Sequence, residues 1–404
     1  MSASRPPLNK TSPKMTSTVR LPERLLLGPG PANIDPRVMA TMQAPVIGHL
    51  DPAFMEILAE IADLLRYAFG TVNEMTMAIS GTGFSGMDAA LANVVEPDDT
   101  VIVGVSGFFG GKAAEAVTRL GARPVVVDGG FGSPVTTDAI AQALAAEPDA
   151  RAVFLVAAET SVGLRQPLAE IGDLVRSAGA LYIVDTVTLL GGATVGTDSN
   201  NIDVAYAGSQ KCVGAIPGTA PITFGPRAAE IIARRSTPVP VWYLDALAIH
   251  RYWTNTPFYH HTCSSTLMAG LLEALRIIKA ETIEARAARH DRNGQALVAG
   301  LEAMGLQIAS DPANRLSMLT PVRIPEGIND AEVRAELLQS YGIEIGGGLG
   351  DWAGTAWRIG LMGHGSSTEN VARVLAALEE ALTARGYECQ PGSTVAAARQ
   401  ISSD

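Results

Sequence analysis

Met75-Thr76-Met77-Ala78-Ile79 is an apolar run, Ser80-Gly81-Thr82-Gly83-Phe84-Ser85-Gly86 follows it, and Met87 to Val95 then reads as a helix. Strand, glycine-rich turn and helix in that order form the unit from which parallel sheets are built. The turn presents backbone N–H groups at the positive end of a helix dipole. The Thr82 hydroxyl is a further donor, so the turn reads either as a phosphate site or as a glycine turn kept for packing before a helix. It is not a Walker loop, because no Gly-Lys-Ser/Thr follows.

The unit recurs along the chain. Val101 to Val105, Pro124 to Val127, Val153 to Val156 and Leu181 to Val184 are short apolar runs separated by helix-like segments such as Thr137 to Ala145 and Ala169 to Ser177. This alternation predicts an α/β fold, a mainly parallel sheet flanked by helices, with ligands at the carboxyl ends of the strands. The residues at those ends carry chemistry. Asp185 closes the Tyr182 to Val184 run. Lys211 follows the apolar run Ile202 to Tyr206 through the turn Ala207-Gly208-Ser209-Gln210. Alone, a lysine after a strand reads as a surface lysine and an Asp at a strand end as a turn or cap. Held near the sheet end, the lysine would be desolvated, which lowers its pKa and frees its amine as a nucleophile. An acid at one strand end and a lysine at the next suit pyridoxal phosphate: the carboxylate keeps the ring nitrogen protonated and the amine holds the aldehyde. Phe109, after Ser106-Gly107-Phe108, reads either as a ring-stacking aromatic or as core. The Ser161 hydroxyl reads either as a ligand contact or as turn chemistry.

After Lys211 the pattern changes. Arg235 to His261 is rich in aromatics and proline. Helix patterns follow over Ser265 to Lys279 and Thr282 to Met304, and strands then alternate with helices to about residue 384. Four parts are expected: a flexible N-terminal arm (1–21), a large domain (22–264), a smaller α+β domain (265–386) and a tail (387–404). Arg358 lies in the Thr355-to-Leu361 strand, where it needs an anion, either a substrate carboxylate or a structural salt bridge. Gly346-Gly347-Gly348-Leu349-Gly350 reads as a closing flap or a plain loop.

Composition narrows the function classes. The 404 residues carry a net charge of -11, which argues against nucleic acid and anionic membranes as partners. No apolar run reaches the ~18 residues of a membrane span. Three cysteines without zinc spacing give neither a metal site nor a disulfide framework, so a reducing, cytoplasmic setting is expected. Residues 1–20 are basic and acid-free like a transit peptide, but their prolines break an amphipathic helix and favour a loose arm.

Nine stretches together resemble the class V, fold-type I aminotransferases, in particular the alanine:glyoxylate and serine:glyoxylate group. They are LLLGPGP (25–31), SGTGFSGMDAAL (80–91), SGFFGGKA (106–113), ETSVG (159–163), VDTVTLLGG (184–192), GSQK (208–211), YHHT (259–262), IEIGGGLG (343–350) and WRIGLMG (357–363). The resemblance runs from about residue 22 to 385 and implies a fold-type I pyridoxal phosphate enzyme. It makes Lys211 the cofactor lysine and Asp185 the partner of the ring nitrogen. Val187 lies under the ring and Phe109, more usually Trp, stacks on it. Thr82, Gly83, Phe84 (a common His) and Gln210 cradle the phosphate. Tyr259 and Thr262 are lent to the phosphate by a second subunit, which implies a homodimer with shared sites. Ser161, Arg358 and the Gly30 backbone hold the substrate. The implied reaction moves an amino group from alanine or serine to glyoxylate. Ureidoglycine, aspartate or hydroxykynurenine as donor stays open, as does a lyase or desulfurase. Ala157-Ala158 replace a more polar pair and Trp357 replaces a frequent basic residue. A nicotinamide oxidoreductase on a doubly wound sheet is the rival outside the family.

Overall fold

The computed structural model describes residues 21–254, 258–389 and 392–403. Residues 1–20 of the expected arm lie outside them. Seven strands form the central sheet. In spatial order they are Met75–Ser80, Thr219–Phe224, Val204–Tyr206, Leu181–Asp185, Ala152–Val156, Thr100–Val105 and Arg123–Asp128. Thr219–Phe224 runs antiparallel to both neighbours, and the pairings from Val204–Tyr206 to Arg123–Asp128 are all parallel. Sequence reading passes over this antiparallel strand, because a proline inside a strand argues against a central position. Here Pro221 needs no N–H, and its carbonyl accepts from Ala207 N–H at 2.8 Å. The inner strands are buried on both faces, as helix-covered sheets require.

A second core gathers around a three-stranded sheet, Leu319–Arg323, Ala356–Gly360 and Gly346–Gly347. Leu297, Val322, Trp357, Ile359 and Leu375 fill it. The chain crosses the expected boundaries in three places. Leu25–Leu26 pairs with Ile343–Glu344, so the N-terminal segment packs Leu25 and Leu27 into the second core. Leu271, Leu275 and Ile278 of the Ser265–Glu281 helix point into the main core, at the i, i+4, i+7 spacing of one helical face. In the expected tail, the Ser393–Ser403 helix lies on the Ile283–Ala303 helix and buries Ala398. Among the described residues no helix is long and apolar enough to cross a membrane.

Candidate active site

Parallel strands in register bring their last residues side by side. Asp185 pairs with Tyr206 across the sheet, and the Tyr206 hydroxyl donates to Asp185 Oδ2 at 2.6 Å. Val187 N–H donates to Oδ1 at 2.8 Å. Burial still dominates and pushes the Asp185 carboxyl up to about 6, against the pull of these two donors. Lys211 sits in a π-type turn, Ser209–Val213, that kinks at the lysine itself (φ -98°, ψ -129°) and ends at left-handed Gly214. Its amine donates to the Pro29 carbonyl. Burial pulls this amine down to about 8; the Arg358 charge works in the same direction, while Cys212 and Asp185 oppose it. Gly30, next after Pro29, packs directly on the lysine side chain. A Cβ there would come 2.5 Å from Lys211 Cδ, and its φ of +100° already favours glycine.

The Gly83–Val94 helix begins at the same level. Its N-cap, Thr82, makes no side-chain capping bond, so the helix start keeps donors for an external anion. Gly83 lets the turn approach: a Cβ would lie 3.1 Å from Val187 Cγ2. Gly81, Gly83 and Gly86 keep the spacing of the dinucleotide fingerprint, and Gly86 has the helix–sheet packing part that its third glycine plays, so this turn alone does not separate the two readings. A Cβ at Gly86 would press on Tyr206 and Ala220, where helix meets sheet. Gln210 lines the same cavity as Thr82 and Gly83 and has a buried Oε1 that no donor among the described residues satisfies.

Phe109 lies in the first turn of the Phe108–Arg119 helix, which is held by a buried carboxylate that sequence reading left without a role. Glu159 accepts Phe109 N–H at 3.0 Å, Gly110 N–H at 3.3 Å, and both the N–H (3.0 Å) and the hydroxyl (2.5 Å) of Ser161. Burial raises its carboxyl above the usual range despite these donors.

A cavity of about 210 Å³ lies between these elements. Eight of the expected residues line it: Thr82, Gly83, Phe84, Phe109, Asp185, Val187, Gln210 and Lys211. Met87, Thr160, Thr188 and Tyr206 join them without having been expected. The remaining five lie elsewhere. Gly30 backs Lys211. Ser161 is fully buried, and its hydroxyl is taken by Glu159 and by Phe108 N–H at 3.0 Å. Arg358 stands behind the cavity wall, donating from Nε to Gly347 O at 2.7 Å and from Nη1 to Thr160 O at 3.2 Å. Among the described residues no carboxylate forms an ion pair with it. Tyr259 and Thr262 face solvent with their hydroxyls 3.5 Å apart. Trp357, read as a site departure, is instead buried in the second core with its indole N–H on Asp330.

A sequence profile described as aminotransferase class-V matches residues 25–350. The chain belongs to the class V aminotransferases. The alanine–glyoxylate aminotransferase of Drosophila melanogaster is 39% identical over 367 residues, covering 90% of this chain and 93% of that protein. Among solved structures, the ureidoglycine–glyoxylate aminotransferase of Bacillus subtilis superposes with a TM-score of 0.94 at 37% identity, over 96% of this chain and 100% of that one. An alanine–glyoxylate aminotransferase from Nostoc sp. gives 0.89 at 42% identity, over 93% and 99%. This class V aminotransferase therefore has the fold-type I architecture of the pyridoxal phosphate enzymes, an α/β sheet flanked by helices. The nicotinamide alternative falls with that assignment.

Proposed function

We propose that this aminotransferase uses pyridoxal phosphate to move an amino group from a small neutral L-amino acid, alanine or serine, to glyoxylate. The observation that carries the reading is the cavity that holds the Lys211 amine, the Asp185 carboxylate and the uncapped start of the Gly83–Val94 helix together. The residues fit the cofactor on three counts. The helix start and the Thr82 hydroxyl offer donors to a phosphate, and Gln210, whose buried Oε1 has no partner among the described residues, would serve it through its amide NH2. Val187 and Phe109 line the cavity as apolar walls for a ring. Asp185 supplies a carboxylate to a ring nitrogen. Tyr259 and Thr262, exposed in one chain, suit a homodimer in which each copy completes its partner's phosphate site. Exposed Phe84 and Trp242 give such an interface apolar surface.

When bound, pyridoxal phosphate supplies an aldehyde carbon for amines and a ring that accepts the electron pair left at Cα when its proton is removed. In this reading the protein does the rest. Lys211 would hold the aldehyde, and its amine, once free, would take the proton from the substrate Cα as general base and deliver it to the cofactor's aldehyde carbon as general acid. Asp185 keeps the ring nitrogen positive. Arg358 orients the substrate through its carboxylate. Glu159 acts indirectly by fixing the helix start that carries Phe109.

Two alternatives lose support on physical grounds. A desulfurase needs a reactive thiol at the site, but burial pushes the Cys212 and Cys263 thiols up to about 11, and Cys389 packs against the second core without lining the cavity. A dicarboxylate donor needs a second cation, but Lys211 is the sole cationic side chain among the described residues lining the cavity. With glyoxylate as acceptor, alanine and serine should therefore outpace aspartate at least about tenfold, since an unpaired distal carboxylate is costly to bury. Glycine formation measured across donors tests this, and aspartate matching alanine overturns it. The unpaired cysteines also suit a reducing, cytoplasmic setting.

The lysine's ionisation gives a second check. With its amine near 8, Lys211 is mostly protonated at about pH 7 and mostly free at about pH 9, so capture of pyridoxal phosphate by the cofactor-free chain should quicken about tenfold over that range. A rate still climbing steeply toward about pH 10.5, the range of an ordinary lysine, would contradict the buried seat.

A further inference from the structure

Arg286 lies on the Ile283–Ala303 helix and lines no part of the cavity. Its side chain is nearly inaccessible, and all three of its nitrogens are engaged. Nη2 donates to Cys212 O at 2.9 Å, Nε to Gly191 O at 2.6 Å, and Nη1 pairs with Glu281 at 2.7 Å. Cys212 is the residue after Lys211. Gly191 closes the loop that leads on from Asp185 and Val187, and its backbone lies against the lysine turn: a Cβ there would come 3.0 Å from Cys212 O. One guanidinium thus ties the lysine segment to the aspartate segment.

The same helix holds the segment that leads on from Arg358. His290 Nε2 accepts Gly363 N–H at 3.0 Å, and Arg289 Nη1 donates to Gly363 O at 3.0 Å. His290 Nδ1 must then carry the proton, which it gives to Arg286 O at 2.7 Å. Gly363 (φ +56°) packs where a Cβ would come 3.2 Å from Cys212 O and 3.4 Å from Lys211 O. Glu281 secures both arginines. Burial opposes its charge, but Arg289 and Arg286 outweigh burial and hold its carboxyl down at about 2, so the pair stays ionic at every working pH.

We propose that Arg286 is a positioning residue for catalysis: its fork fixes the Cys212 and Gly191 carbonyls and thereby sets where the Lys211 amine stands relative to Asp185. The proposal rests on Lys211 being the cofactor lysine. The charged and titratable groups that face that amine are Arg358, Asp185 and Cys212. None of them belongs to the Arg286 helix, so Arg286 acts through backbone position. Lysine cannot replace it fully, because a single ammonium lacks the planar fork that reaches two carbonyls at once.

The test compares Arg286→Gln, Arg286→Lys and Leu297→Ala with the unmodified full chain. Leu297 is buried on the same helix and serves as a stability control. Two quantities are measured: the pH midpoint for capture of pyridoxal phosphate by the cofactor-free chain, followed by visible absorbance, and kcat and KM of the loaded protein. Arg286→Gln should move the midpoint upward by about one pH unit, slow capture at neutral pH about tenfold, and lower kcat at least about tenfold with KM changed less than about threefold. Arg286→Lys should fall between. Leu297→Ala should lower the melting temperature and leave the midpoint in place. An Arg286→Gln midpoint equal to the unmodified one overturns the proposal, and so does a shift that Leu297→Ala reproduces. If the unmodified chain shows no absorbing adduct at Lys211, the cofactor reading itself fails and the proposal with it.

Discussion

Lys211→Ala should leave a folded protein that cannot transaminate, with turnover at least about 10³-fold below the parent because both the covalent tether and the proton carrier are gone. Stability separates this result from misfolding. The folded amine titrates near 8, whereas an unfolded lysine titrates near 10.5. Between those values the unfolded chain binds the extra proton, so the parent gains stability as pH rises through that window and carries the full penalty of a buried cation below it. Alanine removes the penalty. At neutral pH the variant should therefore melt no lower than the parent while being inactive. Added small primary amines should restore part of the proton-transfer rate, because the cavity still holds Asp185 and the uncapped helix start. Unchanged turnover would remove Lys211 from the mechanism, and a large drop in melting temperature would show that the lysine holds the fold instead.

The parts of this site that were legible in the sequence share one property: each is announced within a short window. Ser80 to Gly86 announces a strand end and a helix start, and Tyr182 to Asp185 and Ile202 to Lys211 do the same. Parallel topology then forces their ends onto one edge, so their convergence follows from alternation alone. What was missed depends on register between distant segments. The Tyr206 hydroxyl reaches Asp185 because the two strands are neighbours in phase, which adjacent parallel strands make inferable. Glu159 was left without a role because two of its donors, the N–H groups of Phe109 and Gly110, lie 50 and 49 residues upstream. Arg286 is 74 residues from the carbonyl it holds, on a helix whose sequence reads as ordinary surface pattern. The Thr219–Phe224 strand was hidden by Pro221, whose penalty applies only where a ladder needs that N–H. The helix at 393–403 was hidden by its length: a short helix is marginal alone and gains its stability from a packing partner.

Arg358→Gln should lower kcat/KM for alanine by about 10²–10⁴, the range expected when a buried charge-assisted contact loses one partner. Arg358 is 6% exposed and its guanidinium already gives Nε and Nη1 to backbone carbonyls, but among the described residues Nη2 has no hydrogen-bond partner. Burial pulls this arginine down to about 10, with Glu159 opposing, so it is charged throughout the working range. A buried cation held in place by neutral carbonyls, with one arm free, is arranged to receive an anion. Arg358→Lys should be nearly as damaging, because an ammonium cannot keep Gly347 and Thr160 while also taking a carboxylate. The two variants part on a second readout. The Arg358 charge helps to lower the Lys211 pKa, so glutamine should let the midpoint of cofactor capture rise while lysine largely preserves it. A purely structural arginine predicts otherwise: similar losses for an amine donor with and without a carboxylate, and a midpoint that follows the melting temperature rather than the charge. Comparing alanine with ethylamine in single-turnover reactions decides between them. If the alanine preference survives in Arg358→Gln, the carboxylate is held elsewhere.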